Sequence, residues 1–465
     1  MIKLSMSIKN FTILSFISLY MLLYGIWFFC IDSSRIDNYA EVLFPWIIAA
    51  LLIQLCCFIL IKKVSMIDVG LWFLLLSYLF MYGYLFIDFF DLQSSLLWTP
   101  IKEYSQSILF NSASFVNLSL NMFSLGYLLL CKNDRVSSPV QHEQSDLCDI
   151  KKYRVGILLC IIGGICQLIT SLTLITVTQN AGSYTAYSQA ASSGLIDDVS
   201  FLFVPGAIYI LTSKKLNGSK ALIFTGIIVL YFSMIMLLSG SRKTQVFGIL
   251  AVALCYLYTY RPPKFKLYKK LLIIIVGIIF LNMIYVIREN RMNLSQVVPA
   301  FLTSLTNFDF FKNLIPEILA ETGITFCSVA SVIQCVPKIF PFEYGVPILR
   351  SVVSILPLGW LMPDFFVKAS TTTTINSYLE LPVGASLFGD FYWNWGMFGI
   401  VFSFIFGIIL AVGSVKLYKK SNEVYFSIFY IILIGVRAGV FEIARPLFIV
   451  VFVPWLFNAI MRSRK

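Results

Sequence analysis

The side chains of this chain able to do chemistry are few, and nearly all of them stand at the edges of long apolar runs. Ser239-Gly-Ser-Arg-Lys-Thr244 forms a short turn between two such runs. Arg242 and Lys243 therefore stand beside the start of the following helix, whose free N–H groups favour anions. The turn reads as a cradle for a phosphate group or as a basic anchor at a membrane surface. Arg288 and Arg291, with Glu289 between them, close another apolar run. Three residues apart, the two arginines share a helix face and can grip one diphosphate, or can simply snorkel to water. Arg437, Glu442 and Arg445 surround a third turn, and Pro446 is placed to open the next helix at its first position. Two arginines there suit an anion, although Glu442 and Arg445 can also pair with each other.

Two carboxylates are candidates for a general base. Glu321 begins Glu321-Thr-Gly323, and Asp390 lies in Ser386-Leu-Phe-Gly-Asp-Phe-Tyr-Trp-Asn-Trp-Gly-Met-Phe-Gly399. A carboxylate partly withdrawn from water is tuned toward proton transfer. Tyr392, Trp393, Asn394 and Trp395 provide the stacking and hydrogen bonding that sugars require, or else an aromatic belt at a membrane interface. The run Thr371–Thr374 reads as a plain loop. The single histidine, His142, keeps company with Glu143, Asp146 and Asp149 in a segment on the other side of the membrane. Ten cysteines show no zinc-ligand spacing, and Cys327 and Cys335 on one helix would be about 12 Å apart, beyond disulfide reach. Neither a metal site nor a structural disulfide is expected.

These residues must be positioned by membrane helices. The 465 residues are 59% hydrophobic and 12% charged, with mean hydropathy +0.86. Soluble domains carry about 25% charged residues, and runs of about twenty apolar residues span a bilayer. The net charge of +12 does not indicate nucleic acid, because the basic residues form short clusters between apolar runs. Spans are expected over Phe11–Ile31, Val42–Ile61, Ile67–Ile87, Ile108–Cys131, Val155–Thr178, Ser200–Leu211, Ala221–Leu238, Gln245–Tyr260, Leu271–Ile287, Leu387–Val415, Val424–Ala438 and Leu447–Ile460. The first follows Lys3 and Lys9, lacks a convincing cleavage site and reads as a retained signal-anchor. With the N-terminus in the cytoplasm, most basic residues fall inside and most acidic ones outside.

The expectation is thus an all-α polytopic membrane protein of about twelve spans with both termini cytoplasmic. Residues 1–287 hold spans one to nine, 288–386 form a long external stretch, and 387–465 hold spans ten to twelve. Within the stretch, Ile324–Phe340 and Val346–Met362 are apolar but broken or bounded by Pro337, Pro341, Pro347, Pro357 and Pro363. They read as interfacial or re-entrant pieces, with a further pair of spans as the alternative. No internal repeat is visible, which counts against a transporter of two symmetric halves. Asn111, Asn117 and Asn121 in the fourth span are the features that suit a transport cavity.

The pattern resembles the O-antigen and oligosaccharide repeat-unit polymerases of the Wzy type. The resemblance is carried by Gly240–Arg242, Glu321–Gly323, Gly389-Asp-x-Tyr-x-Asn-x-Gly396 and the arginines of the last outer turn. It implies a bacterial inner-membrane glycosyltransferase, similar to the glycosyltransferase C superfamily, acting on the periplasmic face without a cofactor. Its substrate would be undecaprenyl-diphosphate-linked oligosaccharide, and a chain-length regulator is a possible partner. Under this resemblance Glu321, Asp390 and Arg437 are catalytic candidates. Arg242, Lys243, Arg288, Arg291, Tyr392, Asn394 and Arg445 are substrate-binding candidates. The alternatives are a flippase for lipid-linked oligosaccharide and an O-antigen ligase; a ligase is expected to use an external histidine, which this chain lacks.

Overall fold

The computed structural model describes residues 7–65, 67–92, 100–131, 146–181, 194–239, 243–260, 299, 302–303, 309–356, 358, 361–381 and 383–463. Among the described residues every regular element is helical. Ten helical stretches are long and apolar enough to cross a membrane, and Thr244–Tyr260 is a shorter apolar helix. The expected span over Leu271–Ile287 lies outside the described residues, as do His142, Arg242, Arg288 and Arg291. The chain divides into two compact units.

The first unit holds α1 (Ile8–Cys30), α2 (Tyr39–Leu55), α3 (Val69–Phe89), α4 (Gln106–Leu130) and α10 (Asp309–Cys335) from Pro316 onward. It also holds α11 (Val346–Val353), α12 (Pro363–Val367), α13 (Leu387–Trp395), α14 (Gly399–Lys420) and the residues Gly435–Arg445. Polar residues set the helix starts. Ser7 accepts from the Asn10 N–H, Asp68 from Gly70 and Leu71, and Ser105 from Ile108. Each satisfies N–H groups that have no partner within the helix, a need that is acute in hydrocarbon. The axis of the unit is α4, most of which is buried, whereas α1 is mostly exposed. Accordingly α1 exposes Phe11, Leu19, Leu22, Ile26 and Phe29, the surface a lipid-facing helix presents.

Without a hydrophobic force between helices in lipid, close approach at small residues holds the bundle. On α4 and α14, Gly126 and Gly407 meet the carbonyls of Phe404 and Phe123. On α3 and α10, Gly83 meets the Leu319 carbonyl, and a Cβ on Gly323 would stand 2.7 Å from the Tyr84 nitrogen. Farther along α10, Ser331 Oγ lies 2.7 Å from the Tyr104 hydroxyl, at the end where α3 finishes and α4 begins. Helix α10 therefore runs parallel to α3.

The second unit is built from α5 (Asp146–Ala181), α6 (Leu195–Ser200), α7 (Phe203–Thr212), α8 (Gly218–Ser239), α9 (Lys243–Tyr260) and α15 (Asn422–Ile434). The part of α16 (Val440–Ser463) from Pro446 onward completes it. Val155, Leu159, Leu202 and Tyr209 form its core, against which Ile449, Val453 and Phe457 pack. Lys152 and Glu423 are joined at 3.1 Å with both side chains about nine-tenths buried.

The described elements depart from the sequence expectation in four places. The piece expected over Ile324–Phe340 is helical only as far as Cys335, where the helix Asp309–Cys335 ends ahead of Pro337, and the Ile315–Cys335 part of that helix is long and apolar enough to cross a membrane. The expected span Leu387–Val415 breaks at Gly396, whose positive φ of 57° ends α13 and admits a short 3₁₀ turn before α14. Pro446 lies inside α16 and not at its first position, so Glu442 and Arg445 belong to the opening turns of that helix. Thr371–Thr374 is not an irregular loop, because it leads into a wide helical turn over Thr372–Asn376.

Candidate functional site

In the first unit, Asp390 is brought against the 435–445 segment that carries the sequence candidates Arg437, Glu442 and Arg445. Ser386 starts α13 by accepting from the Gly389 N–H at 3.0 Å, which fixes Asp390 in the first turn of that short helix. Asp390 is buried and each of its carboxylate oxygens has a partner. Oδ2 accepts from the Val440 backbone N–H at 2.6 Å, and Oδ1 accepts from the Thr371 hydroxyl at 3.4 Å. Val440 is the first residue of α16, so Asp390 acts as a helix N-cap supplied from fifty residues away. Gly439 makes this approach possible, since a Cβ there would stand 2.5 Å from Oδ2.

Two residues before Gly439, Arg437 ends a 3₁₀ turn over Gly435–Arg437 and lies over the Phe80 ring of α3 at 6.0 Å. Phe80 and the Gly83–Tyr84 pair occupy one stripe of α3, being three and four residues apart. The same stripe receives α10 at Leu319 and Gly323, which bracket Glu321. Arg437 and the Glu321 helix therefore dock on neighbouring turns of α3. Glu321 is partly exposed while Gly323 is buried. The glycine of Glu-x-Gly has a packing reason: it lets two helix backbones touch.

Thr372, next to the residue that bonds Asp390, donates its hydroxyl to Glu442 Oε1 at 3.3 Å. Adjacent threonines thus bridge Asp390 and Glu442, one to each carboxylate. Sequence reasoning missed both threonines together with Gly439 and Gly83. Four hydroxyls in a row were the available signal for the threonines, but the partner carboxylates are 19 and 70 residues distant.

The aromatic block divides by role. Asn394 is buried, donating from Nδ2 to the Asp390 carbonyl at 2.7 Å and accepting at Oδ1 from the Gly345 N–H at 2.8 Å. The Trp393 and Asn394 carbonyls accept from Glu343 and Tyr344, so the end of α13 is clipped to the left-handed Gly345 turn that opens α11. Trp393 is buried with Val332, Cys335, Val336 and Ile375. Tyr392 is half-buried, edge-on to Phe115 at 5.1 Å and beside Phe342 at 6.4 Å.

Arg242, Arg288 and Arg291 lie outside the described residues, and Lys243 opens α9 as its first residue. Among the described residues no group of three or more His, Cys, Asp or Glu is placed to hold a metal ion.

The arrangement offers cations, carboxylates of two kinds and hydroxyls, on elements held by close helix contacts. That set suits transfer chemistry at a charged leaving group. No curated protein and no solved structure matches the chain. A family model described as O-antigen polysaccharide polymerase Wzy matches residues 10–462, nearly the whole length. With that coverage, and with the apolar helices that such a polymerase needs in order to meet a lipid-linked substrate, the chain belongs to the O-antigen polysaccharide polymerase Wzy family.

Proposed function

We propose that this polymerase joins oligosaccharide repeat units carried on undecaprenyl diphosphate, at the periplasmic face of the bacterial inner membrane. A hydroxyl of the incoming lipid-linked unit attacks the anomeric carbon of the growing chain. The bond from that carbon to the diphosphate oxygen breaks, undecaprenyl diphosphate leaves, and a base takes the hydroxyl proton. The observation that carries this reading is the docking of Arg437 and of the Glu321 helix on one stripe of α3.

Arg437 is the residue assigned to receive the departing diphosphate, with Arg445 near it in sequence. Arg242, Lys243, Arg288 and Arg291 are proposed to bind the lipid diphosphates of donor or acceptor. Guanidinium groups aimed at developing charge supply the stabilisation that metals provide elsewhere, and no cofactor is required. Glu321, partly exposed, is assigned the base. Asp390 and Asn394 are assigned to positioning, because their polar atoms already hold the Val440, Thr371 and Gly345 partners. Tyr392 is proposed to present its exposed part to a sugar ring. The topology that fits has both termini cytoplasmic, with Glu321, Arg437 and Arg445 toward the periplasmic side and a chain-length regulator as a partner in the membrane.

The test is the surface polysaccharide of a deletion strain carrying Arg437→Ala at normal protein level. Lipopolysaccharide with single repeat units and no longer chains is the expected result. Loss of every repeat would indicate a flippase or a ligase, and an unchanged ladder would remove Arg437 from the chemistry.

A further inference from the structure

Beyond the end of α10, the short helices α11 and α12 of the first unit carry an apolar surface that faces outward. In α11 and the turn after it, Pro347, Ser351 and Ser354 are buried and share one side. Leu349, Val352 and Leu356 share the other side, by their spacing of three and four, and are exposed, Leu349 by 68% and Leu356 by 56%. Leu361, Met362 and Val367, before and within α12, are exposed as well. The two helices are tied together, since Arg350 donates from Nη1 to the Lys368 carbonyl at 3.0 Å and lies over the Phe365 ring at 5.5 Å.

The eight residues of α11 reach about 12 Å, against about 30 Å of hydrocarbon, so this segment is not a span. Its root is fixed beside the start of a span. The Tyr344 N–H donates to the Asn394 carbonyl at 3.0 Å and the Gly345 N–H to Asn394 Oδ1 at 2.8 Å. A Cβ on Gly396 would stand 3.0 Å from the Phe342 ring, and one on Gly345 would stand 3.4 Å from the Trp395 ring. From this junction α14 departs with Phe398, Val401, Ile405 and Ile409 exposed at helical spacing, the surface of a helix that meets lipid. The outward face of α11 thus begins where the lipid-facing stripe of α14 begins. Tyr344, Lys338 and Lys368 are exposed around it, residue types that favour the headgroup layer.

We infer that α11 and α12 rest on the phospholipid bilayer as an interfacial foot, on the side where α3 and α10 end. Leu349, Val352 and Leu356 enter the acyl boundary, and Lys338 and Lys368 stay among the headgroup phosphates. The occupant is the bilayer and not a second copy of the chain, because the face shares its junction with a surface that already meets lipid. Through the Gly345 turn the foot holds Asn394, and so it sets the end of α13, with Tyr392, at headgroup depth. A sugar carried on a lipid diphosphate lies at that depth. This last consequence rests on the polymerase reading, whereas the membrane contact does not.

A photoreactive benzoylphenylalanine in place of Leu349 or Leu356 tests the contact in the full chain, held in nanodiscs of phosphatidylethanolamine and phosphatidylglycerol. After illumination, mass spectrometry should find phospholipid adducts at both positions in a yield like that at Phe398 of α14. Glu380, exposed in the same external stretch, should give few. Yields at 349 and 356 as low as that at 380 would overturn the inference. So would adducts to a second copy of the chain, or adducts formed only when undecaprenyl diphosphate is added, which would assign the face to the substrate's tail. For the consequence, Leu349→Glu combined with Leu356→Glu should shorten the polysaccharide ladder at normal protein level, while Leu349→Met with Leu356→Met keeps it long. A full ladder from the charged variant would overturn the coupling to α13. The adducts are read without any activity, so they decide the contact even if the polymerase reading fails or the charged variant does not fold.

Discussion

Replacing Asp390 by asparagine separates two roles that look alike in the sequence. In the structure Asp390 caps α16 through Val440 and holds the Thr371 hydroxyl. Loss of an N-cap side chain costs about 0.5–2 kcal/mol. Each buried partner left unpaired costs about 1–3 kcal/mol more, so Asp390→Ala should destabilise by about 2–4 kcal/mol after incomplete additivity. Asparagine caps about as well as aspartate. Its amide oxygen can still accept from Val440, and its NH₂ can donate to a Thr371 hydroxyl turned the other way. Asp390→Asn should therefore melt close to the unaltered protein and support a full polysaccharide ladder, while Asp390→Ala loses stability, protein level and long chains together. The assay pairs thermal unfolding in detergent with the gel ladder of the complemented deletion strain. A stable Asp390→Asn protein with no long chains would refute the positioning role and make Asp390 the base.

Glu321→Gln should leave a folded protein and abolish polymer, because the amide keeps the shape but cannot take a proton; long chains from this variant would exclude Glu321. Arg437→Lys should rescue Arg437→Ala poorly, since a lysine cannot reproduce a forked contact to a diphosphate, and ladder density after titrated expression measures it. Gly323→Ala should lower the melting temperature by an overpacking cost of about 1–3 kcal/mol, because its Cβ would meet the Tyr84 nitrogen at 2.7 Å. Thr371→Val should be milder than Asp390→Ala, costing about 1 kcal/mol for one hydrogen bond and leaving the Val440 cap in place.

Much of the helical frame was legible because membrane helices announce themselves by length and apolarity. Ile8–Cys30, Tyr39–Ile61, Val69–Phe89 and Gln106–Leu130 fall where the apolar runs put them. What resisted was set by tertiary contact. Apolar runs alone could not show that Gly396 breaks the stretch after Leu387, since a glycine within a span is often tolerated. The helix Asp309–Cys335 was obscured by prolines that flank it and by the charges in its first half. Arg437, Glu442 and Asp390 each stand out as charges near an apolar edge. Their connection through Val440 and two threonines was invisible, because it joins segments that only the fold brings together. Conversely, Asn117 and Asn121 stand out as polar residues of a span, but only the fold shows that Asn117 bonds Tyr20 of another helix and Asn121 bonds Asn117.

Whether this membrane protein makes glycosidic bonds at the expense of a lipid diphosphate is tested most directly with purified protein in proteoliposomes, supplied with only single repeat units on undecaprenyl diphosphate. Glycan of many repeats is expected, with one undecaprenyl diphosphate released for each new linkage and both lost in Arg437→Ala. Passage of the units across the bilayer with no new linkage and no released diphosphate would contradict it.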